Sequence, residues 1–453
     1  MSLSHSLLSL MGIGLLALAS PGSARGPQTP PPSVPTLNAN VRQVLVQVAV
    51  TDRRGHPVSN LHRDDFEVFE DEVPQRIVAF GTTYETSLEG AQSPVAHGTV
   101  AQPTMPASAK VGPNSPTRTY LVCVDTLHSA IGNIFQARTA LQKFFKQEND
   151  PHAQYALMNL SRQIQVIQDS TRDASLVLNA LAGKKFQTSV LDGEVGSIAA
   201  DSEALRRILV SLSPQACSAP AVRVRGTIPD ACSDILRRVR SFIESSAERT
   251  AVLTKLYFEE LKTIITAMGG MPTERTLVLI SDGFNLIPGR ELTGIASAYF
   301  PDDPEWRYNE RDTQSQLSEL LRLAQKNNVV VYTLDSRGVY TPASSGLGDA
   351  SHTGDAYWTS GNAMPEMMRS EDRIAQENKS AMAQLASATG GIFFEDNNDL
   401  FSGIRRAFDD ERERYEIAYA PSNASVDGKY RKIRVTVKRR NLRVHAKAGY
   451  WAN

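Results

Sequence analysis

The sequence predicts an α/β fold: a doubly wound, mostly parallel sheet flanked by helices, with a small β-rich unit built from the N- and C-terminal segments. Three observations carry that expectation. Between residues 119 and 413, short apolar runs alternate with amphipathic stretches of helical period, the pattern of a sheet covered on both faces. At both ends of the chain, 41–82 and 414–453, apolar and polar residues alternate with period two, as in half-buried antiparallel strands. Three apolar runs of the middle segment also stop on aspartate: "YLVCVD" at Asp125, "TLVLISD" at Asp282 and "VVYTLD" at Asp335.

Taken in order, the chain opens on "LLSLMGIGLLALA" (Leu7–Ala19), an apolar run too short to span a bilayer comfortably. "SPGSA" follows, with small residues at Gly22 and Ala24. Residues 1–24 therefore read as a signal peptide cleaved after Ala24, which predicts a secreted or periplasmic protein. The first basic residue is Arg25, after the apolar run rather than before it, so an uncleaved anchor is the alternative. Residues 25–40 form a proline-rich spacer that cannot pack a core. In the N-terminal β segment, 41–82, Val44, Val46, Val48 and Val50 share one face, and Phe66, Val68, Ile77 and Phe80 continue the pattern. So few residues bury little surface alone, and they need strands from elsewhere. Residues 83–118, rich in Ala, Pro, Ser and Gly, read as a flexible linker.

The middle segment begins with the strand "TYLVCVD" and the helix "IFQARTALQKFFKQ", whose stripe is Ile134, Leu141, Phe144 and Phe145. "QYALMNLSRQIQVIQD" supplies two short strands, "RDASLVLNAL" a helix, and Ser233–Met268 a long amphipathic helix. Then come the strand "RTLVLISDG", helix "LSELLRLAQKNN", strand "VVVYTLD", helix "AMAQLASATGG", strand "IFFE" and helix "LFSGIRRAFDDERER". The C-terminal segment returns to strands, "YEIAYAP", "YRKIRVTVKR" and "LRVHAKAGY", which could complete the sheet begun by 41–82. No segment after the signal resembles a transmembrane helix.

Charge excludes one class of partner. The 453-residue chain has 48 Lys and Arg against 49 Asp and Glu, a net charge of -1, which gives no global reason to expect nucleic acid. The tail "KYRKIRVTVKRRNLRVHAK" is locally basic and reads as the solvated face of strands, ahead of a polyanion-binding or membrane surface. Of three cysteines, Cys123 lies in an apolar run and reads as an inert core residue. Cys217 and Cys232 flank a loop-like insertion and are expected to form a disulfide in an oxidising compartment.

Ligands of open parallel sheets bind beyond the carboxyl ends of the strands. Carboxylates converging there repel one another unless a cation or strong donors compensate. Mg2+ suits oxygen donors, and hydroxyls are near: Ser129, Ser281, Thr188 and Ser189. Asp335, followed by "SRG", reads instead as ordering its own turn.

"VDTLHS", a later "TS" and "VLISDG" together resemble the von Willebrand factor type A domain and its metal-ion-dependent adhesion site. The whole arrangement resembles the exported proteins of the VWFA-related family described from Acidobacteria, over about residues 40–451 apart from the 83–118 spacer and the Cys217–Cys232 insertion. "VQVAVTDRRGHPVSNLHRDDFEVFEDEVPQRI" before the A domain and "GKYRKIRVTVKRRNLRVHAKAGYW" after it carry that likeness as a pair. The resemblance implies a site for Mg2+ or Mn2+ formed by Asp125, Ser129, Asp282 and a loop threonine, Thr188, with Ser189 or Thr171 as substitutes. It implies one open position for an Asp or Glu of a partner protein. Leu127 departs from the family pattern, which has a serine there; a leucine offers no oxygen and weakens the site. His128 reads as an exposed loop histidine, with a position facing the site as the alternative.

The function so implied is an exported adhesion-like module that engages a partner's acidic residue through a metal. The alternative is a structural envelope component with a vestigial metal site, with a metal-dependent hydrolase third. No G-x-S-x-G elbow, H-E-x-x-H or phosphate-binding G-x-x-x-x-G-K-[ST] loop is present, and the histidines do not cluster, so no enzyme is expected.

Overall fold

The computed structural model describes residues 43–82, 118–194, 201, 204–205, 207–209, 230–284, 286–299, 313–338, 363–395 and 398–452. The expected signal peptide, the proline-rich spacer and nearly all of the linker lie outside them. In chain order the N-terminal segment forms β1 (Val44–Thr51), β2 (Phe66–Glu70), β3 (Val73–Gln75) and β4 (Ile77–Thr82). β5 (Arg118–Asp125), α1 (Ile131–Phe145), β6 (Ala153–Leu160), β7 (Ile164–Thr171), α2 (Ala174–Ala182) and α3 (Lys184–Glu194) follow. Next come α4 (Asp230–Gly269), β8 (Glu274–Ser281), α5 (Arg290–Tyr299), α6 (Gln314–Lys326) and β9 (Val329–Asp335). The series continues with α7 (Ala363–Thr389), β10 (Phe393–Phe394) and α8 (Leu400–Arg412). β11 (Tyr415–Tyr419), β12 (Tyr430–Val437), β13 (Arg443–Ala446) and β14 (Gly449–Trp451) complete the chain.

The apolar runs of the middle segment build a six-stranded sheet in the order β10-β9-β8-β5-β6-β7. β10, β9, β8, β5 and β6 run parallel and β7 is an antiparallel edge, so the sheet is mixed. Both faces of β5 are buried, which is why its sequence is apolar without alternation. Tyr120, Val122 and Val124 meet Ile134, Leu141, Val177 and Phe408 of one helical layer. Leu121 and Cys123 meet Tyr257, Phe258, Leu261 and Leu320 of the other. From β5 the chain moves first to β6 on one side and later to β8 on the other, so the order reverses at the β5–β8 crevice. α7 stops where the sequence reads "ATGG". Gly390 takes φ 88°, Gly390 N donates to Ser387 O at 3.4 Å, and Gly391 N to Ala386 O at 3.0 Å, a double closure that needs a left-handed residue.

The period-two runs at the two ends of the chain do pair with each other. They form two antiparallel sheets, β13-β1-β11-β4 and β14-β12-β2-β3, each containing strands from both ends. β1 runs against β11 with Val44 opposite Tyr419 and Val48 opposite Tyr415; β2 runs against β12 with Val68 opposite Val435. The shared core holds Val46, Val48, Phe66, Val68, Ile417 and Ile433. Neither end could bury these residues alone. Two buried tyrosines of this core find partners for their hydroxyls: Tyr419 donates to Glu70 Oε2 at 2.6 Å and Tyr415 to Val58 O at 2.6 Å. Asp71 and Glu72, at φ 49° and 65°, make the tight β2–β3 turn.

Four details differ from the sequence expectation. α3 and α5 are helices the sequence reading does not contain, β10 spans two residues only, and the last run divides into β13 and β14. The expected Cys217–Cys232 disulfide is not supported: Cys217 lies outside the described residues, and no disulfide forms among those described. Cys123 is a free, buried thiol. Among the described residues no helix is long and apolar enough to cross a membrane.

The β sheets join the α/β unit at Arg414, two residues after α8 ends. Its guanidinium is 1% exposed and lies 2.9 Å from Glu411 and 3.4 Å from Asp410. It also donates to Tyr332 Oη at 2.6 Å and to Gly390 O at 2.8 Å. Breaking a buried ion pair leaves uncompensated charge in the core. Arg414→Met should therefore lower stability by about 3–5 kcal/mol, read as a reduced urea midpoint.

Candidate functional site

β5 ends by delivering Asp125 to the β5–β8 crevice, where its side chain is fully buried. The next residues turn back over it. Leu127 N and His128 N donate to Oδ1 at 2.9 and 3.0 Å. Ser281 Oγ, at the end of β8, donates to Oδ2 at 2.7 Å, and His128 Nδ1 lies 2.9 Å from the same oxygen. Both oxygens of the carboxylate are thus occupied by protein groups. The imidazole is 3% exposed, and Tyr257 meets it edge-on with ring centroids 4.6 Å apart. Leu127 is fully buried among Leu121, Tyr257, Phe258 and Phe284. The residue that interrupts the resemblance therefore has a packing role of its own.

Asp282 is satisfied in the same manner. Its Oδ2 accepts Ala130 N at 2.9 Å and Asn133 Nδ2 at 2.8 Å, and its Oδ1 accepts Ser336 Oγ at 2.6 Å. Ser129 does reach this end of the sheet, but its Oγ accepts the Asp282 N–H at 3.0 Å. Asp335 orders its own turn, accepting Arg337 N at 3.1 Å and Arg337 Nε at 2.9 Å. Thr188 is not among the hydroxyls that bond Asp125 or Asp282, which are Ser281 and Ser336. It sits exposed on α3, a helix rather than a loop, and its neighbour Ser189 is buried and accepts Asn159 Nδ2 at 2.9 Å.

The expected metal site is therefore corrected. Among the described residues no three His, Cys, Asp or Glu side chains come together to hold a metal ion. Mg2+ or Mn2+ held by Asp125, Ser129, Thr188 and Asp282, and metal-dependent adhesion with it, are not supported. The physical reason is that hydrogen bonds and an imidazole neutralise the strand-end carboxylates, so the repulsion that invited a cation is already relieved. Sequence reasoning missed Asn133 and Ser336, which carry no local signal, and placed His128, three residues after Asp125, in an exposed loop ahead of the site it faces.

The electrostatics follow from burial. For Asp125 burial opposes ionisation, but the His128 imidazole and the hydrogen bonds from His128 and Ser281 outweigh it and hold the carboxyl below its ordinary 3.8. Asp282 goes the other way: burial raises it, ahead of the lowering by Ser336, Ala130 and Asn133. Glu260, half-buried on α4, is pushed up to about 7 by burial and by the Asp125 charge. A cavity of about 480 Å³ lies at the opposite end of the sheet, lined by Arg118, Glu148, Asp150, Arg405 and Arg412. Its charges are spent on one another: Arg412 reaches Glu148 at 2.6 Å and Asp150 at 3.1 Å.

No family model matches the chain, and no curated protein matches it. Among solved structures it is similar to an aerotolerance-related membrane protein from Bacteroides fragilis, at 11% identity over 65% of this chain and 98% of that one, with a TM-score of 0.25. It is also similar to proximal thread matrix protein 1 from the mussel byssus, at 10% identity over 71% of this chain and 49% of that one, TM-score 0.27. A third is the pilus adhesin SpaC from Lactobacillus rhamnosus GG, at 10% identity over 74% of this chain and 43% of that one, TM-score 0.32. At these scores none of the three bears on fold or function.

Two outcomes are expected of the site. Asp125→Ala leaves His128, Ser281 and two backbone N–H groups without their acceptor, and should cost about 3–5 kcal/mol at neutral pH by urea unfolding. Because the folded carboxyl titrates below its unfolded value, that contribution is present above 3.8 and lost as pH falls through the lower folded value. The wild type and Asp125→Ala should therefore converge in acid. Glu260 has the opposite sign: its favourable contribution is present below its unfolded 4.5 and lost as pH rises through about 7. Glu260→Gln should stabilise the protein at pH 8 by at most about 1 kcal/mol, solvent screening the half-exposed group, and change nothing at pH 4.

Proposed function

We propose that this chain is an exported structural component of the cell envelope, a von Willebrand factor A-like protein with the vestige of a metal site, which acts through packed surfaces rather than through catalysis. The observation that supports this most is the closed state of Asp125. A carboxylate that accepts Leu127 N, His128 N and Ser281 Oγ, with His128 Nδ1 beside it, has no lone pair directed at a ligand.

The resemblance to the A domain supports the reading at the level of placement. Asp125, Ser129 and Asp282 stand together at the switch point of a sheet flanked by helices, where that family's site would be. What has changed is the partner of the carboxylates. His128 stands beside Asp125, and Leu127, where the family has a serine, fills core. The same geometry argues against proton transfer: an imidazole enclosed by Tyr257 and bonded to Asp125 cannot reach a substrate. Extracytoplasmic location rests on the apolar Leu7–Ala19 run and the small residues after it.

The test is calorimetric. A site of micromolar affinity would add about 2.7 kcal/mol of stability at a hundredfold excess of Mg2+ over its Kd. The unfolding temperature should instead be the same in millimolar Mg2+, in Mn2+ and in chelator. A saturable rise with Mg2+, reversed by chelator, would overturn the reading.

A further inference from the structure

The basic tail noted in the sequence acquires a second half when the chain folds. β1 pairs with β13, placing Thr51 opposite Arg443. That pairing brings the "DRRG" turn after β1 against the "KRRNLR" turn between β12 and β13. Arg53 donates across the junction to Asn441 Oδ1 at 2.5 Å. Arg53, Arg54, Lys438, Arg439, Arg440 and Arg443 are all exposed there. Gly55 at φ 82° and Asn441 at φ 66° make the tight turns that present them. The guanidinium of Arg406, exposed on α8, lies against Gly55 and extends the same surface.

The acidic residues nearby do not cancel this charge. Asp52 accepts Arg54 N at 2.7 Å and His56 N at 2.9 Å, shaping its own turn. Asp65 lies 3.5 Å from Arg439, and Lys438 reaches the backbone of Asp64 at 2.8 Å. Arg54, Arg440 and Arg443 have no carboxylate partner among the described residues. From Gly428 to Asn453 the sequence contains no Asp or Glu at all. A net charge of -1 for the whole chain thus conceals a strongly basic tip.

We propose that this tip docks on an anionic phospholipid surface. The side chains stand exposed on turns rather than around a cavity, so they suit a broad layer of phosphates better than one enclosed small anion. Arginine dominates, and its planar fork matches phosphate oxygens in pairs. Each such residue near an anionic bilayer is worth about fivefold in partitioning, and the gain decays within a Debye length. The proposal is independent of the sheet-top reading, which concerns another part of the molecule.

Cosedimentation of the full chain with phosphatidylcholine vesicles, with and without about one-third phosphatidylglycerol, tests it in low salt. Comparing the two vesicles removes any charge-independent capture by the apolar amino end. Preferential binding to the anionic vesicles is expected, with release in high salt. Arg54→Gln, Arg440→Gln and Arg443→Gln combined should weaken that preference by on the order of 100-fold, at an unchanged unfolding temperature since all three are exposed. Equal binding to both vesicles, or full preference in the triple variant, overturns the proposal. So does capture by soluble heparin or an acidic polypeptide without any preference for anionic vesicles, which would assign the tip to a soluble polyanion.

Discussion

A guanidinium enclosed in the interior fixes the arrangement of this molecule. Arg414 is tolerated there only because Glu411, Asp410, Tyr332 and the Gly390 carbonyl all converge on it. Those partners come from α8, β9 and the glycine cap of α7, while Arg414 itself leads directly into β11. The surrounding layer shares its field. Glu274 is pushed up to about 8 by burial and by Glu411, and His445 down to about 4 by burial and Arg414. Displacing β11 would leave several buried charges unmatched at once, so the position of the β sheets against the helices is strongly specified.

At the other end of the central sheet the same problem has a different solution. Asp125 is fully buried and Asp282 partly so, and uncharged groups supply most of their hydrogen bonds. Backbone N–H groups, hydroxyls, an amide and an imidazole serve instead. Such donors are short and fixed, and they hold the loops after β5, β8 and β9 to one another. A site solvated in this way has little to gain from a divalent ion, which would first have to displace them.

The sequence made strands and helices legible because burial on both faces of β5, and on one face of β1 and β12, leaves distinct periods in the apolar residues. It also placed Asp125 and Asp282 correctly at strand ends. It could not show what surrounds them. Ser281, noted as a nearby hydroxyl, ends a strand remote from β5 in the chain yet donates to Asp125, and Ser336, which donates to Asp282, carries no local mark of that role. Thr188 was assigned to a loop because the short helix that holds it follows directly on Gly183, the cap of α2, and carries few apolar residues of its own. His128 looked exposed because it lies in a loop beside Thr126, Ser129 and Ala130, whereas Tyr257, which covers it, lies on a helix 129 positions later. The basic turn at Arg53 and Arg54 was visible, but its meeting with the tail depends on a pairing that only the fold supplies.

The pairing of the two ends also sets the order in which this protein can be made. Glu70 accepts the hydroxyl of Tyr450, a residue 380 positions further along the chain. At ordinary rates of synthesis those positions are separated by tens of seconds, about 20 to 75 s. The α/β unit can close on itself in that interval, because its contacts lie within one continuous stretch. The first strands cannot. Val46, Val48 and Phe66 wait without a complementary face until the last forty residues emerge, and their free edges are open to wrong partners throughout. A product that stops short of β11 and β12 would keep β1 and β2 adhesive and unpaired, a state that quality control can recognise.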